Sequence, residues 1–203
     1  MKKISTVGMT RLEWLKQRRN GIGGSDAAAI MLEDYKYQTP YGLWLDKTGA
    51  TPVSEVSNLK CRMGTYLEPF VAELFTEATG LKVRRLNAML FNDTYPFMFA
   101  DIDRRIEGRE EGLECKTTSA FNAKYFKDAD DIPQEFGRYY VQMQHYMAVT
   151  GWRKWHLAVL IGNQEFWHCE CERNEEDVAE IIRNESEFWD LVRTRTNIWE
   201  DQN

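Results

Sequence analysis

The chain has 203 residues, with 32 acidic side chains against 26 lysines and arginines, and so carries a formal net charge of −6 at pH 7. Hydrophobic residues at 43% and aromatics at 13% exclude a disordered or low-complexity chain and suffice for one domain with a sizeable core. Lys2 and Lys3 have no apolar targeting region behind them, and no stretch approaches the roughly 18 apolar residues of a membrane span, so a soluble cytoplasmic protein is expected. Net acidity argues mildly against a nucleic-acid partner, but net charge is only a sum. Basic clusters at Arg18-Arg19, Lys82 with Arg84-Arg85, Arg104-Arg105 and Arg153-Lys154 can still be gathered on one surface.

In chain order, residues 1–80 read as helical. Leu12, Trp14 and Leu15 suit a short helix that the glycines between Gly21 and Gly24 break. Ser25-Asp26 then offers an N-cap for the apolar run from Ala27 to Leu32, and Thr39-Pro40 an N-cap and first helical position for a helix ending at Gly49. From Leu59 to Thr79 the apolar residues Leu67, Phe70, Val71, Leu74 and Phe75 recur at helical spacing, and Gly80 closes the helix. The period then changes. Short runs rich in β-formers cover 81–85, 88–91, 97–106 and 112–117, the last two joined as a hairpin through Glu107 to Glu111. Pro133 precedes a helix from Gln134 to Thr150 ended by Gly151. Strands from Trp155 to Ile161 and Glu165 to Cys171 flank the turn Gly162-Asn163, and Asn174 caps a final helix with Asp177 in its first turn. This order predicts one α/β domain over residues 1–203. It has a helical part (1–80), a sheet core (81–172) and a C-terminal helix (174–199), with one mixed sheet flanked by helices on both faces.

Of the four cysteines, Cys169 and Cys171 share a strand face beside His168. A metal site there is conceivable, but no second close pair completes it, and free thiols are the expectation.

Two strand segments carry candidate chemistry. In Leu113-Glu114-Cys115-Lys116 the glutamate and lysine project to one face, and Asp101 and Asp103 share a face of the strand before it. A hairpin of suitable register brings acid, acid and lysine together. Two carboxylates plus a backbone carbonyl, here that of Cys115, suit Mg²⁺ better than zinc. A lysine beside such a metal can stabilise a developing oxyanion or help deprotonate a water. Alone, an E-x-K triplet is common and reads as an ordinary salt bridge. Three features count against that reading. Glu68, in Gly64-Thr65-Tyr66-Leu67-Glu68-Pro69, is flanked by core residues and needs a metal or cation if it points inward. Gln142 and Tyr146 lie one turn apart on a helix after the strands. Arg18 to Ser25 is a glycine-rich turn entering a helix N-terminus, a ready anion site.

Taken in order, these segments resemble the YqaJ-type viral recombinase family, which includes lambda exonuclease, within the PD-(D/E)xK nuclease superfamily. The resemblance rests on Arg18 to Ala27, Gly64 to Pro69, Ala100 to Arg104, Leu113 to Thr117 and Gln142 to Tyr146, roughly residues 14–150. It implies a restriction-endonuclease-like core and a 5′-to-3′ exonuclease that degrades one strand of linear duplex DNA, leaving a 3′ single strand for recombination by annealing. It implies two Mg²⁺ ions, replaceable by Mn²⁺, held by Glu68, Asp103, Glu114 and the Cys115 carbonyl, with Lys116 and Gln142 completing the catalytic set. Arg18 and Ser25 match the residues holding the terminal 5′ phosphate, and Tyr146 belongs with them on the DNA side. Asp101 departs from the family pattern, which has a neutral residue there; family register favours Asp103 as the ligand. Expected partners are a phage single-strand annealing protein and further copies of the chain in a trimeric ring, its bore lined by Lys82, Arg84, Arg85, Arg104 and Arg105. A phage or prophage origin follows from the same resemblance. Two alternatives stand beside it: another nuclease on this fold, cutting internally or on single strands, and a non-catalytic DNA-binding module. The Arg18–Ser25 segment disfavours the first, and retention of every acid and the lysine disfavours the second.

Overall fold

A computed structural model describes residues 1–32, 38–54 and 58–199. Strand β1 (Lys2–Ser5) is followed by helices α1 (Arg11–Arg18), α2 (Gly24–Met31), α3 (Pro40–Lys47) and α4 (Leu59–Thr79). Strands β2 (Val83–Arg84), β3 (Ala88–Phe91), β4 (Phe99–Asp101), β5 (Arg104–Ile106) and β6 (Glu111–Thr118) come next. The short α5 (Ala123–Phe126), the long α6 (Gly137–Thr150), strands β7 (Lys154–Ile161) and β8 (Glu165–Glu172), and α7 (Glu175–Thr194) complete the chain.

The helix boundaries follow local chemistry. Thr10 and Glu13 form a reciprocal capping box that starts α1. Thr39 caps α3 with Pro40 in its first turn, and Asn58 caps α4. Gly80 and Gly151 end α4 and α6 in the left-handed region, φ 74° at each, where a side chain would be strained. One cap differs from expectation: α2 starts at Gly24, and Asp26, at its third position, accepts the Gly23 N–H at 3.0 Å.

Two sheets form where one was expected. β1-β3-β4 is antiparallel, so residues 2–5 are strand, in a stretch that reads as helical from its neighbours. The five-stranded sheet has the order β2-β5-β6-β7-β8, with β6 and β7 parallel and the others antiparallel. The break falls within the single run read over 97–106: β4 ends at Asp101 in one sheet and β5 begins at Arg104 in the other. Asp101 and Asp103 therefore do not share a strand face.

Helices cover both faces of the larger sheet. Val71, Ala72 and Phe75 of α4 pack on Leu113, Cys115, Ala158 and Leu160. Leu157, Val159, Cys169 and Cys171 point the other way, toward α2, α6 and α7. Each fully buried aliphatic or aromatic side chain contributes about 1.5–3 kcal/mol, so α4 is held by its Val71–Phe75 stripe even though Phe70, expected inside, is 46% exposed. Cys169 and Cys171 are buried free thiols, while His168 points to the opposite face, against the Phe75 ring. α7 ends at Thr194, short of the expected residue 199. Among the described residues, no helix is long and apolar enough to cross a membrane.

Candidate active site

Register builds the site. In the β5–β6 hairpin Arg104 pairs with Leu113, so Asp103, one residue before, lies level with Glu114. Its Oδ2 accepts the Cys115 N–H at 2.9 Å. In an extended strand the N–H and C=O of one residue leave from the same edge, which directs the Cys115 carbonyl toward Asp103 as well. Glu114 is 2% exposed and faces α6. Its Oε1 meets Lys116 Nζ at 2.5 Å and accepts from Gln142 Nε2 at 2.7 Å. Gln142 also donates to the Tyr146 hydroxyl at 2.8 Å, and that hydroxyl donates to the Asp101 carbonyl at 3.2 Å. The other oxygen, Glu114 Oε2, is buried with no hydrogen-bond partner among the described residues.

The charges here are unbalanced. Burial and the neighbouring Glu114 carboxylate push Asp103 well above the ordinary carboxylate range. Burial likewise raises Glu114, against the pull of Lys116. Burial alone would favour a neutral Lys116, but the Glu114 and Asp103 charges overcome it and keep the ammonium protonated. Glu68 is half-buried on α4, and its partners are cations: Arg104, and Arg85 at 3.3 Å. Arg104 is 6% exposed and cannot line a ring bore, because its guanidinium is committed to Glu68 and to the Asp103 carbonyl.

Among the described residues, no three His, Cys, Asp or Glu side chains already close around a common point. The donor set nonetheless fits a hard divalent cation. It is all oxygen, burial raises both carboxyls with Glu114 adding to the rise at Asp103, and Glu114 Oε2 is buried without a partner among the described residues. A cation there relieves the repulsion and uses the free oxygen.

Asp101, the second acid, serves another place. Its Oδ2 accepts the Trp14 indole N–H at 2.7 Å, on the side of the site where α1 lies. There Arg18 stacks over the Trp14 and Phe99 rings at 4.8 and 5.5 Å, and its guanidinium donates to Ser25 Oγ at 2.9 Å. Arg18 and Ser25 are thus brought together at the N-terminus of α2. Gly24 ties this pocket to the carboxylates: a Cβ on it would lie 2.6 Å from the Tyr146 ring and 2.8 Å from the Gln142 side chain. Only a glycine lets α2 approach α6 so closely. The Arg18–Ser25 pair and the carboxylates are consequently neighbours, joined through Tyr146 and Gln142.

Three residues of this region escape a sequence reading: Trp14, Lys47 and the Arg104 partner of Glu68. Lys47 is 8% exposed, and a signal for it exists, since it follows Leu43 and Trp44 by one turn on the same helical face.

The mixed sheet between helices has the PD-(D/E)xK fold, and Asp103 and the Glu114-x-Lys116 pair lie on one hairpin of it. The model of the YqaJ-like viral recombinase domain matches residues 13–153, and the chain belongs to that family. The YqaJ protein of Bacillus subtilis (strain 168) is 48% identical over 176 residues, which is 86% of this chain and 54% of that protein, so the chain spans about half the length of this curated relative. The alkaline exonuclease of Laribacter hongkongensis superposes with a TM-score of 0.71 at 20% identity, over 90% of this chain and 93% of that one. Its complex with dAMP gives 0.70 at 22% identity over the same shares. A phage-related exonuclease from Haemophilus somnus gives 0.63 at 14% identity, covering 87% and 96%. At these identities the superpositions establish the fold.

Proposed function

We propose that the chain is a Mg²⁺-dependent exonuclease that shortens the 5′-ended strand of linear duplex DNA and leaves a 3′ single strand for annealing. The observation that carries this reading is the continuity of two sites of opposite character. A half-buried Asp103 beside the buried Glu114, one of whose oxygens is unpartnered among the described residues, adjoins, through Gln142, Tyr146 and Gly24, the hydrogen-bonded Arg18–Ser25 pair. A terminal phosphate in the pocket would place a nearby phosphodiester against the carboxylates. The names of the structural relatives agree with an exonuclease activity.

Glu68, Asp103, Glu114 and the Cys115 carbonyl are the residues that would hold Mg²⁺, or Mn²⁺ in its place, which when bound supplies a water of lowered pKa and charge for the leaving oxygen. Lys116, kept protonated by Glu114, stabilises charge on the phosphate oxygens as it develops. Gln142 fixes the Glu114 carboxylate so that its second oxygen remains directed at the site. Arg18 offers a guanidinium fork and Ser25 a hydroxyl to the terminal phosphate. A closed homotrimer with Lys82, Arg84 and Arg85 in its bore, all exposed, would reconcile a −6 protomer with a duplex track, and an annealing protein would load on the emerging 3′ strand.

The test is direct. Linear duplex DNA bearing a 5′ phosphate or a 5′ hydroxyl is incubated with and without Mg²⁺, with each strand labelled separately. The expected result is metal-dependent shortening of the 5′-ended strand, faster from phosphorylated ends. Shortening of the 3′-ended strand, or cleavage of closed circles, overturns the reading.

A further inference from the structure

Beneath the Arg18–Ser25 pocket lies a charged pair that the nuclease chemistry leaves unused. Asp26 on α2 is 6% exposed and Lys47 on α3 is 8% exposed, and their charged atoms meet at 2.8 Å. Burying two charges is costly, and such a pair is weak evidence for stability alone. Its contacts suggest why it is there. Lys47 Nζ donates to the Arg18 backbone carbonyl at 2.9 Å, closing the C-terminal end of α1. Asp26 Oδ2 accepts from Lys47 and from the Gly23 N–H at 3.0 Å, while Oδ1 reaches the Arg18 guanidinium only at 3.5 Å. Arg18 is thus held twice, by its main chain through Lys47 and by its side chain through Asp26.

The charge count makes Lys47 necessary to that arrangement. Arg18 and Asp26 alone would form a neutral, mutually satisfied pair, with the carboxylate competing against any incoming phosphate. With Lys47 taking the shorter bond, Arg18, Lys47 and Asp26 together carry one net positive charge and the guanidinium is only loosely engaged by Asp26, with the Asp101 carboxylate also facing Arg18. Burial alone would raise the Asp26 pKa, but Lys47 and Arg18 outweigh it and hold it at about 2, so this geometry persists across the working range of a nuclease.

We propose that Lys47 and Asp26 are a positioning pair that orients Arg18 and keeps its pocket cationic, and so sets the preference for a phosphorylated DNA end. The inference rests on the reading of Arg18 and Ser25 as a terminal-phosphate pocket. Neither residue of the pair touches the DNA.

The experiment compares kcat/KM on duplexes ending in 5′ phosphate and 5′ hydroxyl for the wild-type chain, Lys47→Met, the charge-neutral double variant Asp26→Asn/Lys47→Met, and Lys47→Arg. Lys47→Met strands a buried carboxylate and is prone to unfold; the double variant removes both charges and keeps the comparison open. The double variant leaves the net charge of the cluster unchanged and so tests orientation: the phosphate-to-hydroxyl ratio is expected to fall by up to about tenfold, the size of the charge-assisted hydrogen bond that a misplaced Arg18 would lose, and to recover in part in Lys47→Arg. A merely structural pair would lower both rates by one factor and leave the ratio where it was, and that result overturns the proposal. A wild-type ratio of one would instead overturn the phosphate-pocket reading itself, so the two failures are distinct.

Discussion

The carboxylate site on the β5–β6 hairpin and the cationic pocket at the start of α2 are neighbours built on opposite rules. In the first, a half-buried Asp103 stands beside the buried Glu114, burial raises both carboxyls, Glu114 raises Asp103 further, and Glu114 Oε2 is left without a partner among the described residues. In the second, Asp26 is also buried, but Lys47, Arg18 and the Gly23 N–H all compensate it, and it stays ionised down to about pH 2. The difference teaches what each region awaits. An under-compensated acid pair is complementary to a cation that arrives from outside. A fully compensated acid is a structural fixture, here one that engages the guanidinium proposed to receive the terminal phosphate.

The largest effect is expected on the under-compensated side. Glu114→Ala and Lys116→Ala should each lower cleavage at least about 10²-fold, as for groups whose charge acts mainly in the transition state. Circular dichroism should show the fold retained. Activity within a few fold of wild type in either variant would remove the hairpin from the chemistry.

The two aspartates divide the regions more finely. Asp103→Asn should eliminate metal-dependent cleavage, yet raise the thermal midpoint in EDTA, because it removes a carboxylate that burial and Glu114 disfavour while an amide oxygen can still accept from Cys115. Asp101→Asn should reduce the rate by less than about tenfold, since an amide can keep the Trp14 bond. If the two effects came out in reverse order, Asp101 would be the metal ligand.

A smaller change is expected at the pocket. Arg18→Ala should narrow the ratio of rates on 5′-phosphate and 5′-hydroxyl ends about tenfold, the size of one charge-assisted hydrogen bond. An unchanged ratio, measured by single-turnover digestion, would detach Arg18 from the phosphate.

How much of this was legible beforehand depends on how local each signal is. The helices announced themselves through caps and glycines: Thr39-Pro40, Asn174, Gly80 and Gly151 mark ends the structure reproduces. The E-x-K face and the half-buried Glu68 were readable from period and context. What escaped was decided by pairing at a distance. Lys2–Ser5 carries little strand signal of its own and is strand because Ala88–Phe91 offers it an edge. The run from Phe97 to Ile106 reads as one strand, but it crosses from one sheet to the other at Ile102-Asp103, which separates the two aspartates. Arg104, placed by its neighbour Arg105 among surface cations, turns inward from β5 and meets Glu68 of α4. Lys47 could have been placed on a buried face, though nothing in its own neighbourhood names Asp26 as its partner.

The last prediction tests the opposition between the two regions by acid alone. Asp26 has a folded pKa of about 2 against an ordinary 3.8, a depressed value. Its contribution is present above pH 4 and is lost as pH falls toward 2. At 1.36 kcal/mol per unit this amounts to roughly 2 kcal/mol for a fully buried group. Asp103 and Glu114 have raised pKa values, so the sign inverts: their ionisation opposes folding at neutral pH, and protonating them on the way down relieves it. Urea unfolding of the metal-free chain at pH 5 and pH 3 separates the two. Between these values the Asp26→Asn/Lys47→Met variant should lose less stability than wild type, by about 1 kcal/mol, because it has no Asp26 proton to take up on unfolding. Asp103→Asn should lose more than wild type over any interval in which Asp103 takes up its proton in the folded state, since it forgoes that relief. Parallel pH curves for all three proteins would mean that the two acid clusters are compensated alike.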